Sequence, residues 1–321
     1  MNVFKEIAKD SLNNYNIINS FCSFKSIDNV LNIIYTNSTK SIICYNLLDF
    51  KIINIIKNAH NNNITNFRYY FDKINKRDLI ISISCEDNNI KLWNANNWEC
   101  LLNLKNIYNN GFLFSACFLF LNNNTYIITS NNNINIEDDF SEAIKVYDLK
   151  GNFVKEINES YLKSFFIDCY LDYIITGNKG YIKSYNYKEN QTYQIYNDNS
   201  DNFFYSNFNI IYDNEEIKII EFYVGGIIRI WNFHSGMLLY KIKLSHAIFG
   251  NCLWNKEYIL VGCYNGTIEL IELRTGQKYG TYEAHNCTVI NINKINHPLY
   301  GDCIITQGNG KNSIKFLISN K

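Results

Sequence analysis

The chain has 321 residues, with 30 basic side chains matched by 30 acidic ones, so no net field draws it toward nucleic acid or anionic lipid. At 47% hydrophobic and 16% aromatic it is too apolar for intrinsic disorder, despite its wealth of asparagine. The length suits two ordinary domains or one large all-β domain, and the excess of Asn, Ile, Tyr and Lys is read as compositional drift.

The first segment, MNVFKEIAKD, carries charges at Lys5, Glu6, Lys9 and Asp10 and lacks the apolar run of a secretory signal. The ten cysteines are therefore expected to be reduced, placing the chain in the cytoplasm or nucleus. Beyond this segment one unit recurs: an apolar strand, an Asn- or Gly-rich turn, a strand closing on an aromatic or Ile, and a further strand. The closing strands read SIICYN (41–46), IKLWN (90–94), AIKVYD (143–148) and YIKSYN (181–186). They continue as IIRIWN (227–232), TIELIE (267–272) and SIKFLI (313–318). Their markers are Tyr45, Trp93, Tyr147, Tyr185, Trp231, Ile271 and Phe316. Successive markers lie 48, 54, 38, 46, 40 and 45 residues apart, close to the ~40–45 residues of one four-stranded propeller blade. Apolar strands precede the markers, as in DLIISIS (78–84), DYIITG (172–177) and YILVG (258–262). The most apolar window, FLFSACFLFL (112–121), is too short to span a bilayer and predicts a strand buried on both faces.

These units resemble WD-repeat (WD40) blades over nearly the whole chain. The second unit matches best, with Asp87 six residues before Trp93 and His60 at the position of the family's Gly-His histidine. The resemblance implies a structural hydrogen-bonded network of His60, Asp87, a strand Ser or Thr, and Trp93. Asn94 and Asn232 replace the Asp of Trp-Asp, and Ala59-His60, Ser245-His246 and Ala284-His285 replace Gly-His. Gly225, Asn265 and Gly310 stand where other units would carry the Asp. The expected fold is all-β: a single seven-bladed β-propeller over residues 1–321. KNSIKFLIS (311–319) is the third strand of the seventh unit, and NVFKEIAK (2–9) precedes the first blade's inner strand YNIINSFCSF (15–24). Residues 1–10 are therefore expected to close the ring as the outer strand of the last blade.

Catalysis has no sequence support. Of the histidines, His60, His246 and His285 are repeat-equivalent, and neither a Gly-x-Ser-x-Gly turn nor a phosphate loop is present. GNG (308–310) reads as a hairpin turn. With no Cys-x-x-Cys and a lone His285-Asn286-Cys287, no metal and no cofactor are expected. The basic stretch KINKR (73–77) reads as a solvated loop, so direct contact with nucleic acid is not expected.

Two features point to partners. Ile271-Glu272-Leu273-Arg274 resembles the Trp-Asp-x-Arg element by which some WD-repeat substrate receptors touch their ubiquitin-ligase adaptor, although it also follows the ordinary blade consensus; Arg274 would be the contact. The longest marker spacing traces to NNNINIEDDFSE (131–142), with Glu137, Asp138, Asp139 and Glu142. The connection YNDNSDNFFYSNF (196–208) adds Asp198 and Asp201 on what the family convention makes the same face. Solvated loops are the plain reading; the sharper one is an acidic face for a basic peptide or protein segment. The resemblance thus implies a non-catalytic scaffold that docks proteins or peptides within a multiprotein complex. A ubiquitin-ligase substrate receptor and a structural subunit of an RNA-processing or ribosome-assembly particle are the alternatives.

Overall fold

The computed structural model describes residues 4–8, 18–37, 40–109, 112–132, 144–158, 166–178, 180–198, 206–213, 216–310 and 314–319. Every regular element among them is a β-strand. After β1 (Phe4–Ala8), blade 1 comprises β2 (Ile18–Lys25), β3 (Leu31–Asn37), β4 (Ile42–Asn46) and β5 (Lys51–Ile56). Blade 2 is β6 (Asn66–Asp72), β7 (Arg77–Ser84), β8 (Asn89–Asn94) and β9 (Glu99–Leu104). Blade 3 is β10 (Phe112–Leu121), β11 (Asn124–Asn132), β12 (Ile144–Asp148) and β13 (Phe153–Ile157). Blade 4 is β14 (Phe166–Tyr170), β15 (Tyr173–Gly177), β16 (Ile182–Asn186) and β17 (Gln191–Tyr196). Blade 5 is β18 (Ser206–Asp213), β19 (Glu216–Tyr223), β20 (Ile227–Asn232) and β21 (Leu238–Lys243). Blade 6 is β22 (Ile248–Leu253), β23 (Tyr258–Cys263), β24 (Thr267–Glu272) and β25 (Lys278–Glu283). Blade 7 is β26 (Val289–His297), β27 (Gly301–Gly308) and β28 (Ile314–Ser319), with β1 paired antiparallel to β28 as its fourth strand. Seven four-stranded antiparallel sheets in chain succession give the fold class, a seven-bladed β-propeller.

The chain divides into two compact units. One holds most of blade 1 with blades 5, 6 and 7; the other holds residues 24–29 with blades 2, 3 and 4. Within the first, Phe21, Ile33, Tyr35 and Tyr45 of blade 1 form one core with Ile305 and Phe316 of blade 7. Ile220 and Ile228 of blade 5 pack with Ile259 and Ile271 of blade 6, and Leu260 of blade 6 with Ile292 and Ile304 of blade 7. Within the second unit, Leu79, Ile81 and Leu92 meet Leu113 and Ile127, while Cys117 and Val146 meet Ile167 and Tyr185. Each such Ile, Leu or Phe contributes about 1.5–3 kcal/mol on burial. A blade with two apolar faces is stable only between neighbours, which is why a middle strand such as β7 is buried along almost its whole length. The outer strands are half exposed instead, as in β9.

The spacing of the markers has a backbone counterpart. In blades 2 to 6 the register against the outer strand shifts immediately before the marker, at Leu92/Trp93, Val146/Tyr147, Ser184/Tyr185, Ile230/Trp231 and Leu270/Ile271. A bulge there increases the local twist. Close packing fixes one glycine: a Cβ on Gly262 would lie 2.7 Å from the Val289 side chain of the next blade.

The asparagines are more than drift. Asn29, Asn58, Asn88, Asn106, Asn122, Asn123 and Asn190 all adopt positive φ, the left-handed region that asparagine tolerates better than most residues. The residue after the marker makes a recurring turn with its side chain. Asn46 Oδ1 accepts from the Leu48 amide at 2.7 Å and Asn94 Oδ1 from Asn96 at 3.1 Å. Asp148, Asn186 and Asn232 accept in the same way from Lys150, Lys188 and His234. Asparagine therefore makes this turn as Asp148 does, because only an acceptor oxygen is required.

Candidate functional site

The network expected in blade 2 is present in altered form. Ser82 on β7 and Trp93 on β8 both project into the blade, and His60 enters from the connection before β6. His60 Nε2 lies 2.7 Å from Ser82 Oγ, which also accepts the Trp93 indole N–H at 2.8 Å. All three residues are buried. Asp87 does not complete the chain to His60, whose Nδ1 has no hydrogen-bond partner among the described residues. Its carboxylate accepts instead from the Asn61 and Asn62 amides, each at 2.9 Å, and from the Asn62 side chain at 2.7 Å. Asp87 thus clamps the backbone just past His60 and holds the histidine in place indirectly. Lys91 closes the site from the other side by donating to the Ala59 carbonyl.

The same design recurs with different residues. Strand pairing sets Ser82 opposite Lys91, Thr129 opposite Lys145, Thr176 opposite Lys183, Glu221 opposite Arg229 and Thr306 opposite Lys315. In blade 3, Tyr108 takes the place of histidine and bonds Thr129 Oγ1 at 2.7 Å, and Lys145 Nζ donates to the Ile107 carbonyl at 2.8 Å. In blade 7, His285 Nε2 meets Thr306 Oγ1 at 2.9 Å. Blade 5 holds an ionic version, in which Glu221 accepts the Trp231 N–H at 3.0 Å and pairs with Arg229 at 3.5 Å, both ions being about 1% exposed. His246 departs from the expected equivalence. It is exposed, because blade 6 pairs Val261 with Glu269 and offers no hydroxyl at the matching position. A cation two residues before the marker recurs in the sequence at Lys91, Lys145, Lys183 and Arg229, and one residue before the marker at Lys315. That regularity was the available signal, but its partners are defined only by the strand register.

Burial pushes the pKa of both His60 and His285 down from 6.5 to about 4, with nearby Lys91 and Lys315 adding to the effect; Asp87 opposes it at His60. Both histidines are neutral when folded, whereas the unfolded chain protonates them near 6.5. Between these limits the unfolded state binds more protons, so stability falls as pH drops from 6.5 toward 4. The loss is at most about 1.4 kcal/mol per pH unit for each histidine. Asp72 and Asp148 lie below the usual 3.8, where the side-chain and backbone hydrogen bonds of Asn75 and Asn152 outweigh desolvation, so they act only below this window. Urea midpoints at pH 7.5, 6 and 5 are expected to decline in that order, and a constant midpoint would contradict neutral burial.

Arg274 occupies a different environment. It is exposed in the middle of the turn after β24, and among the described residues no hydrogen bond or ion pair engages it. It borders a groove of about 350 Å³ between blades 5 and 6. Ile211, Ile230 and Leu273 supply apolar lining, with Tyr240, Lys218, Lys256, Glu257 and Glu272 beside them. Lys218 pairs with Glu216 at 3.4 Å, and Glu272 accepts from the Thr275 hydroxyl, so both are partly committed. A larger, shallower groove of about 980 Å³ in the other unit includes Asp72, Arg77, Asp148 and Lys150. Its charges serve local turns: Arg77 Nε binds Asp72 at 3.0 Å and the Lys150 amide binds Asp148 at 2.8 Å. This also accounts for Arg77 of the KINKR stretch.

Glu137, Asp138, Asp139, Glu142 and Asp201 lie outside the described residues. Asp198 is half-buried and engaged with neighbours, and Asn131 and Asn132 belong to β11 rather than to the acidic connection. Among the described residues no cluster of three or more His, Cys, Asp or Glu is arranged to hold a metal, and no helix is long and apolar enough to cross a membrane. Compared with known proteins, the chain matches no protein-family model and no curated protein.

Proposed function

We propose that the chain is a divergent WD-repeat propeller serving as a non-catalytic scaffold that docks protein or peptide segments within a multiprotein complex. The groove beside Arg274 carries this reading. An apolar floor can take a partner's side chain, and an uncommitted guanidinium at its edge can take a carboxylate, the combination typical of an interface anchor. The ionisable groups buried inside the blades serve blade packing, which leaves the rims and grooves for recognition. The ten cysteines are free thiols, in keeping with a cytoplasmic or nuclear setting. The acidic residues Glu137, Asp138 and Asp139 are proposed as a second seat, for a basic segment.

Affinity purification with quantitative mass spectrometry tests both seats. Arg274→Glu is expected to lower recovery of at least one partner by roughly 30-fold, the loss of an anchor worth about 2 kcal/mol, with the melting temperature unchanged. Identical partner sets for wild type and Arg274→Glu would refute the groove, and an unaltered set after joint neutralisation of Glu137, Asp138 and Asp139 would refute the acidic face. The position of Arg274 also favours one narrower reading, that of a ubiquitin-ligase substrate receptor. In that case the partner lost with Arg274→Glu is a ligase adaptor.

A further inference from the structure

We propose that Cys117 and Cys169 form an oxidative modification site, a thiol pair that closes to a disulfide joining blades 3 and 4. Cys117 lies on β10 opposite Ile128 of β11, and Cys169 on β14 opposite Ile174 of β15. Their sulfurs are 3.3 Å apart although the residues are 52 positions apart in the chain. The surroundings are apolar, with Leu119, Ile128, Ile167 and Ile174 in the same core. Cys117 is 2% exposed and Cys169 is half-buried, so the reaction is assigned to begin at Cys169.

The reaction is thiol–disulfide exchange with a low-molecular-weight disulfide as oxidant. Cys169 sulfur attacks one sulfur of the reagent, breaks its S–S bond and releases the first small thiol. Cys117 sulfur then attacks Cys169 sulfur, forms the protein S–S bond and expels the second small thiol. The two cysteines are oxidised and the reagent disulfide is reduced, with the two cysteine protons ending on the two released thiols. Burial pushes the Cys169 thiol well above its ordinary pKa, and the adjacent Cys117 and Asp168 add to this. Most of the sulfur is therefore held as the unreactive thiol, so the pair stays reduced until an oxidant is abundant. Once formed, the bond ties the inner strands of neighbouring blades across a loop containing β11, β12 and β13. Such a long loop restricts the unfolded chain strongly.

Incubation of the whole chain with 2-hydroxyethyl disulfide, then denaturing alkylation and peptide mass mapping, tests the proposal. The expected product is a peptide pair linked through Cys117 and Cys169, lighter by two hydrogens than the reduced pair. The melting temperature should rise by several degrees, revert with dithiothreitol, and stay unmoved by oxidant in Cys169→Ala. Exposed Cys100, whose Sγ lies against the Leu102 carbonyl, reports that the reagent has acted by acquiring a mixed disulfide. If Cys100 is modified while Cys117 and Cys169 are recovered alkylated or as separate adducts, the proposal is overturned. The mapping uses the unaltered chain, so the result stands even if a cysteine variant fails to fold.

Discussion

Deletion of residues 1–10 is expected to destabilise the protein by at least about 3–5 kcal/mol, the usual cost of removing a buried Phe side chain. Phe4 is 3% exposed and packs in the core shared by blades 6 and 7. Its ring meets Trp254 edge-on at 5.7 Å and Tyr282 at 6.0 Å. The deletion also strips β28 of the strand that pairs Phe4 with Ser319 and Glu6 with Leu317. An unpaired edge then faces solvent, and aggregation adds to the loss of stability. Urea denaturation of the full chain, the deletion and Phe4→Ala separates the two contributions, with Phe4→Ala recovering the register but not the ring. A deletion whose midpoint equals that of the full chain would refute β1 as an integral part of blade 7.

The second large effect concerns Glu221 and Arg229. Glu221→Leu leaves the Arg229 guanidinium buried without its carboxylate, a change expected to cost about 3–5 kcal/mol. Adding Arg229→Met removes the buried charge that had faced the Glu221 carboxylate and should restore most of that loss. The double variant stays below wild type by about 1–2 kcal/mol, because the Trp231 N–H no longer donates to the Glu221 carboxylate. Chemical denaturation of the two single variants and the double variant closes the cycle. Additive losses would show that the two ions are not coupled.

The two effects differ in how far the sequence announces them. The N-terminal strand was legible because the seventh unit runs only to its third strand while a surplus apolar segment precedes the first. An unpaired edge at one place and an unpaired strand at another have one obvious solution. The Glu221–Arg229 pair was not legible, because nothing local in EFYVGGIIRIWN (221–232) says that these two side chains face each other inside the blade. The antiparallel register decides that, and a shift of one residue would have turned both to the opposite face.

The same distinction runs through the candidate sites. His60, Ser82 and Trp93 lie at recurring positions, so their meeting follows from the repeat once it is aligned. The clamp by Asp87 depends on the path of the connection after His60, and the sequence had assigned it to the histidine itself. The groove beside Arg274 draws on residues from Ile211 to Arg274, spread over two blades. No window of sequence contains it, because only the packing of blade 5 against blade 6 brings its apolar and charged lining residues together. The pairing of Cys117 with Cys169 has the same origin.

What the sequence alone determined was the repeat: seven markers, an alternation of apolar strands and Asn-rich turns, and an all-β propeller built from them. Those features are local, since a period, a turn residue and a run of buried side chains are written in contiguous residues. Tertiary structure decided which polar groups share a blade interior, which thiols touch and where a guanidinium is left uncommitted. Each of these depends on strand register or on one blade resting against the next, and neither is encoded within a single repeat.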